Sequence, residues 1–206
     1  MWRKAVGVLV LCMGLLVVGG GVAQASYSGA NAKYYADLFA VNPNHGLPVY
    51  SDDCTNFVSQ AMRYGGHPQV GTPVSGQVLH NDAEWWMTAN GDGRTYSWSV
   101  ANDFETFLSV YDLHADSGHT QYEGSQTLYV SLPITTGDPI LYLWNNNTGT
   151  TFNHTSIMIG SGTDPTSGWV GTLVDEHTSN RYHAIWTLKP YNSQWATTTT
   201  TEFHIS

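Results

Sequence analysis

The apolar residues of this chain change their spacing once, and that change restricts the folds open to it. Up to residue 111 they recur at intervals of three and four, the repeat of a helix with one buried face. Ala32, Tyr35, Ala36, Leu38 and Phe39 mark such a face over residues 30–40. Cys54, Phe57, Val58, Ala61 and Met62 mark a second, and Phe104, Phe107, Leu108 and Tyr111 a third over 101–111. Beyond residue 126 the period falls to two, the alternation of a strand. Strands are predicted at 128–130, 140–144, 154–159, 169–178 and 182–188, with Phe203 and Ile205 on a last one. Residues 145–149 read as a hairpin turn, and the threonine run 197–201 as an exposed strand or tail. Helices first and strands afterwards predict an α+β domain, N-terminal helices packed on a C-terminal antiparallel sheet.

The first 25 residues stand apart. Arg3 and Lys4 precede an apolar run from Ala5 to Val18, and Ala23-Gln24-Ala25 closes it. A basic start, a short apolar stretch and small residues at an A-x-A site are the pattern of a secretory signal peptide. Residues 1–25 are therefore expected to be removed, leaving a single domain over 26–206 that is exported, extracellular or wall-associated. Removal of 25 of the 206 residues leaves 181, enough for one sizeable core. The leader carries two of the seven basic residues, so five face sixteen acidic ones. That surface argues against nucleic acid and anionic membranes as partners. A monomer without a membrane contact is expected.

Cys12 lies inside the leader, so one cysteine, Cys54, remains and no intramolecular disulfide can form. Cys54 begins the second predicted helix, after Asp52 and Asp53, and Gly65-Gly66 ends it. Backbone N–H groups and the helix dipole at such a position favour an anion, which lowers a thiol pKa. Asp53 is expected to cap the helix or to contact substrate. The competing reading is an inert buried thiol.

Of the nine histidines, His45, His67, His80, His114 and His119 fall in loops without a patterned partner, and His183 and His204 read as sheet surface. His154 opens a predicted strand and His177 closes another. A symmetric hairpin centred on Pro165-Thr166 would oppose the two on one face, with Cβ atoms about 5 Å apart. Cys54, His154 and His177 would then form a nucleophile, a base and an orienting group. A zinc site made from the same three residues is a further reading, but no close ligand pair supports it. Neither metal nor other cofactor is expected.

The run Asp53-Cys54-Thr55-Asn56-Phe57-Val58-Ser59-Gln60, followed by Gly65-Gly66, resembles the signature of the bacterial putative amidase domain family. Asn42-Pro43, Trp85-Trp86, Ser97-Trp98, Gly137-Asp138, His154 and His177-Thr178 follow in the order of that family's elements. Pro139 and Met87 depart from its pattern. The resemblance implies a papain-like fold related to NlpC-type and CHAP-type cysteine amidohydrolases. It implies Cys54 as nucleophile, His154 as base and His177 as third residue, with Asn180 and Asp175 as alternatives for that role. It also implies hydrolysis of a peptide, amide or cell-wall peptidoglycan bond, with Asp53, Trp85, Trp86 and Trp98 contacting substrate. The alternative function is a catalytically inactive wall-binding or glycan-binding module with an aromatic groove.

Overall fold

The computed structural model describes residues 26–121, 128–129, 134–144 and 151–206. The segment read as a signal peptide, Val130 and the turn at 145–149 lie outside the described residues. Helix α1 spans Gly29–Phe39, and the Ser28 hydroxyl caps it by accepting from the Asn31 N–H at 3.3 Å. Helix α2 spans Cys54–Tyr64 and is buried continuously from Cys54 to Met62. A helix enclosed on all sides belongs at the centre of a domain. Strand β1 (Val78–Leu79) runs parallel to β2 (Arg94–Thr95) in a short ribbon over the helices. Helices α3 (Tyr96–Ser99) and α4 (Ala101–Thr106) follow. The third predicted helix does not continue as an α-helix to 111, because a π-helical turn occupies Phe107–Tyr111.

The sheet is antiparallel and contains β3 (His119–Gln121), β4 (Pro139–Leu143), β5 (His154–Thr163), β6 (Val170–Glu176), β7 (Arg181–Ile185) and β8 (Thr199–Glu202). Its order is β3-β8-β4-β5-β6-β7. The α+β expectation is met, helices on one face of an antiparallel sheet. Leu141, Ile157, Ile159, Leu173 and Ile185 face α1 and α2, packing with Phe57, Val58 and Ala61. On the reverse face Ile140, Tyr142, Val174, Ala184 and Trp186 form a second cluster with Ile134 and Leu188. Each fully buried large side chain of this kind contributes about 1.5–3 kcal/mol relative to exposure.

Several sequence expectations change. The threonine run is no exposed tail: Thr198 to Thr201 are buried, and β8 inserts between β3 and β4. Threonine is β-branched and suits a central strand as well as an edge. Phe203 and Ile205 leave that strand for the helix-side core. His67 is no loose loop residue, since its Nε2 meets Asp112 Oδ2 at 2.7 Å with both side chains fully buried.

The β5–β6 hairpin departs most instructively from its predicted register. Asp164 organises its turn, its Oδ1 accepting from the Thr166 and Ser167 N–H groups. Thr163 therefore opposes Val170, and the hairpin is centred one residue later than the symmetric estimate. A bulge between Met158 and Gly160, with Gly160 at φ 123°, then shifts the register so that Ile157 opposes Asp175. A shift of one residue exchanges the faces of a strand. His154 and Glu176 consequently share one side, and Asp175 and His177 take the other.

The start of α1 lies against the loop before β4. A Cβ on Gly137 would come within 2.4 Å of the Gly29 Cα, and Gly137 sits at φ 95°. Gly137→Ala suffers both overlap and left-handed strain. It is expected to lower stability by about 2–4 kcal/mol in urea denaturation.

Candidate active site

Cys54 occupies the first position of α2 and is 6% exposed. Asp53 precedes it as N-cap residue but makes no side-chain cap bond. The helix start is docked on β5 by a hydrogen bond of 3.0 Å between the Thr55 and Thr155 hydroxyls. It is docked on the β6–β7 turn by the Asp53 N–H, which donates to Thr178 Oγ1 at 3.0 Å. Thr178 adopts φ 76° to bring its hydroxyl there.

These attachments bring the Cys54 thiol against the His154 imidazole at the first residue of β5. Burial alone would raise the thiol pKa. The hydrogen bond and charge of His154, the Thr55 hydroxyl and the Thr155 backbone N–H outweigh it and hold the thiol below its ordinary value. Burial likewise disfavours the imidazolium, but the Glu176 carboxylate and Cys54 overcome it and raise the His154 pKa to about 10. The pair therefore favours thiolate and imidazolium together.

Glu176, the last residue of β6, is fully buried. Its Oε2 accepts from His154 Nε2, and its Oε1 from Arg181 Nη1. Nε2 thus carries a hydrogen, leaving Nδ1 as the nitrogen for the thiol. Arg181, stacked 4.7 Å from the centre of the Tyr191 ring, gives the buried carboxylate a second cationic partner. Trp144 stacks on the His154 ring with centroids 5.2 Å apart and planes 25° apart. A concavity of about 230 Å³ opens onto His154 and Glu176, walled by Trp144, Asn153, Thr178 and Tyr191. A larger groove of about 710 Å³ lies between α1 and α2 around Tyr34, Leu38 and Tyr64, and contains none of these polar groups.

Four expectations about site residues are corrected. His177 does not orient His154. It lies on the helix side, stacked on Phe57 with centroids 4.0 Å apart. Its Nδ1 meets Asp53 Oδ2 at 2.6 Å and its Nε2 donates to the Phe39 carbonyl at 2.8 Å. The alternatives for that role also lie elsewhere: Asp175 accepts from the His183 N–H, and Asn180 donates to the Val41 carbonyl. Asp53 stands at the N-cap position of α2, but its side chain makes no cap bond. It is 4% exposed, and its carboxylate is taken by the Tyr50 N–H, the Asn56 amide and His177. Trp85, Trp86 and Trp98 are core residues with no exposed surface, their ring N–H groups donating to Ser59, Glu84 and Asn56. Of the three, Trp98 alone lines a groove, the one between α1 and α2.

Local spacing does not single out Glu176. Its signal in the sequence is an acid inside a predicted strand, with Arg181 five residues later across a turn.

The class of protein is thus an α+β fold that brings an imidazole and a carboxylate from its sheet to a thiol at the start of its central helix. The family model described as "putative amidase domain" matches residues 26–201, and the chain belongs to that family. It is 32% identical over 133 residues to the uncharacterized protein YhbB of Bacillus subtilis, covering 65% of this chain and 37% of that one. It is 54% identical over 43 residues to the uncharacterized protein YjcM of the same organism, covering 20% of this chain and 10% of the relative. The chain thus spans well under half the length of the curated relatives it matches. No solved structure matches it.

Alkylation of Cys54 by iodoacetamide, followed against pH, is expected to show a midpoint below the ordinary thiol value near 8.5. In His154→Ala the hydrogen bond and charge of the imidazole are lost while burial and the Thr55 and Thr155 contacts remain, so the midpoint moves up and the rate at pH 7 falls about tenfold. Equal profiles for the two proteins would disprove the thiolate–imidazolium pair.

Proposed function

We propose that this protein is an exported cysteine amide hydrolase with Cys54 as nucleophile, His154 as acid–base group and Glu176 as the residue that orients His154. The observation that carries this reading is the buried chain of contacts from the Cys54 thiol through His154 to Glu176. A nucleophile, a base and an orienting acid in that order are the requirements for acyl transfer. The thiolate attacks the amide carbonyl carbon, and the oxygen takes up negative charge. The Cys54 backbone N–H, at a helix start without a side-chain cap, is placed to donate to that oxygen. His154 then gives its proton to the leaving amine as the C–N bond breaks and a thioester forms. Water, deprotonated by the now neutral imidazole, attacks the thioester, and the thiol is regenerated with release of the acid.

Arg181 and Trp144 support this chemistry without touching the reacting bond. Arg181 donates to Glu176 and holds its carboxylate in place, and Trp144 covers the face of the imidazole. His177 becomes a positioning residue that anchors Asp53, and through it the start of α2, to the sheet and to α1.

A helix-borne cysteine followed in sequence by a strand-borne histidine also supports kinship with the papain-like NlpC-type and CHAP-type enzymes. The family match begins at Ser26, directly after the A-x-A site, which agrees with export after removal of the leader. A peptide or amide bond of peptidoglycan is the substrate this reading favours.

Purified protein incubated with intact peptidoglycan and a panel of small peptide amides should release fragments cut at a C–N bond, identified by mass. Cys54→Ala is expected to release none, and Glu176→Gln to lower kcat by about 10–100-fold with the protein still folded. Fragments released equally by Cys54→Ala would sink the proposal. The rate should follow a bell in pH. Its acid limb is the thiolate, below the usual thiol range, and its alkaline limb is loss of the imidazolium near 10. Glu176→Gln removes the charge that raises His154, so the alkaline limb moves to lower pH.

A further inference from the structure

On the helix side of the sheet, two carboxylates and an imidazole outside the Cys54 centre converge. They are Asp37 of α1, Asp175 of β6 and His183 of β7, and one donor atom from each lies within 4.8 Å of the other two. Asp175 is fully buried. Its Oδ1 accepts from the His183 backbone N–H at 2.7 Å, while its Oδ2 is enclosed without a hydrogen-bond partner. Asp37 directs Oδ1 to His183 Nε2 at 3.0 Å and Oδ2 to Lys33 Nζ. Two carboxylates brought together out of water repel unless a proton or a cation lies between them. Lys33 offsets one charge, and burial with the neighbouring Asp37 raises the Asp175 carboxyl to about 7. His183 holds φ 56°, a conformation uncommon outside glycine and asparagine, and from it the ring points toward Asp37.

We propose that Asp37, Asp175 and His183 bind a divalent first-row cation such as Zn²⁺ or Mn²⁺, which staples α1 to the β6–β7 hairpin behind the Cys54 centre. Two carboxylate oxygens and one imidazole nitrogen suit such an ion better than Ca²⁺ or Mg²⁺, which prefer oxygen alone. Bonds of about 2.0–2.2 Å place an ion between donors that lie within 4.8 Å of one another. The unpartnered Asp175 Oδ2 would gain a ligand. Asp37 would supply Oδ1 while keeping Lys33 on Oδ2. Because Glu176, His177 and Thr178 follow Asp175 directly, a cation there would stiffen the strand end that carries them. The trio His80, Asp82 and Asp103, with His80 exposed, Asp82 half-buried and Asp103 buried, lacks a fully buried member and serves as the comparison.

The test uses metal-free protein carrying Cys54→Ala, so that the thiol cannot take the metal and the outcome does not depend on the proposed hydrolysis. Titration with ZnCl₂ or MnCl₂ should show one bound equivalent by elemental analysis after gel filtration. Tm should rise by about 3–8 °C at a hundredfold excess over Kd, with smaller effects of CaCl₂ and MgCl₂. Asp175→Asn keeps the shape of the side chain, and His183→Asn keeps a residue that tolerates positive φ. Each should abolish both binding and the Tm rise, and His183→Asn carries the test alone if Asp175→Asn does not fold. His80→Ala should leave both intact. Absence of a Tm rise with either metal overturns the proposal, as does a rise unchanged in both asparagine variants or lost in His80→Ala. A metal-free Asp175→Asn protein more stable than its parent, with no metal bound by the parent, would instead mean that the two carboxylates share a proton.

Discussion

The Asp53 carboxylate is withdrawn from water at the junction of α1, α2 and the β6–β7 turn, and it is tolerated there because three groups close around it. The Tyr50 N–H and the Asn56 amide donate to one oxygen, and His177 to the other. The Asp53 backbone N–H reaches Thr178. His177 in turn rests on Phe57 and reaches the Phe39 carbonyl at the end of α1. Removal of any one partner leaves a buried charge short of a bond, which costs more than the bond itself contributed. This set holds the start of α2 in place, and the start of α2 holds Cys54. Asn56 extends the set into the core by accepting from Trp98 Nε1.

The same arrangement explains why a helix cap is absent where one was expected. An aspartate that accepted from its own helix's N–H groups would neutralise the positive end of α2. Here the side chain turns away, so the dipole and the N–H groups of the first turn remain directed at the neighbourhood of Cys54. The thiol gains further from Thr55, Thr155 and His154, and these together exceed the penalty of burial. His154 in turn owes its raised pKa to Glu176, whose own burial is made tolerable by Arg181. The polar groups therefore form one connected chain from Arg181 to Cys54. A chain of this kind is either complete or a liability, because a half-satisfied buried network is worse than an apolar core.

The sheet has two polar ends of different kinds on its two faces. The side that carries His154 and Glu176 opens to a concavity beside Trp144. The side that carries Asp175 and His177 is closed by helices. Alternation along β6 separates these roles between consecutive residues: Asp175 toward α1, Glu176 toward His154, His177 toward α2. Three successive titratable side chains can have three separate environments only because a strand sends neighbours to opposite faces.

Local spacing was sufficient for much of this molecule. Helical repeats located α1 and α2 to within a residue, strand alternation located β4 to β7, and the lone cysteine at a helix start identified Cys54, because each of these depends on neighbours in the chain. The choice of His154 also came from the sequence, from its position at a strand start. The third residue did not. Whether Glu176 or His177 meets His154 depends on the register of one hairpin, and that register depends on the Asp164 turn and the bulge at Gly160. The burial of Trp85, Trp86 and Trp98 and the placing of β8 at the middle of the sheet depend on contacts between residues far apart in the chain. Sequence by itself determined which of the longer elements form and that Cys54 opens α2, since those are short-range consequences of side-chain periodicity. Only the tertiary structure decided which face each polar residue takes, since a single-residue slip leaves every local preference satisfied and still reverses the faces.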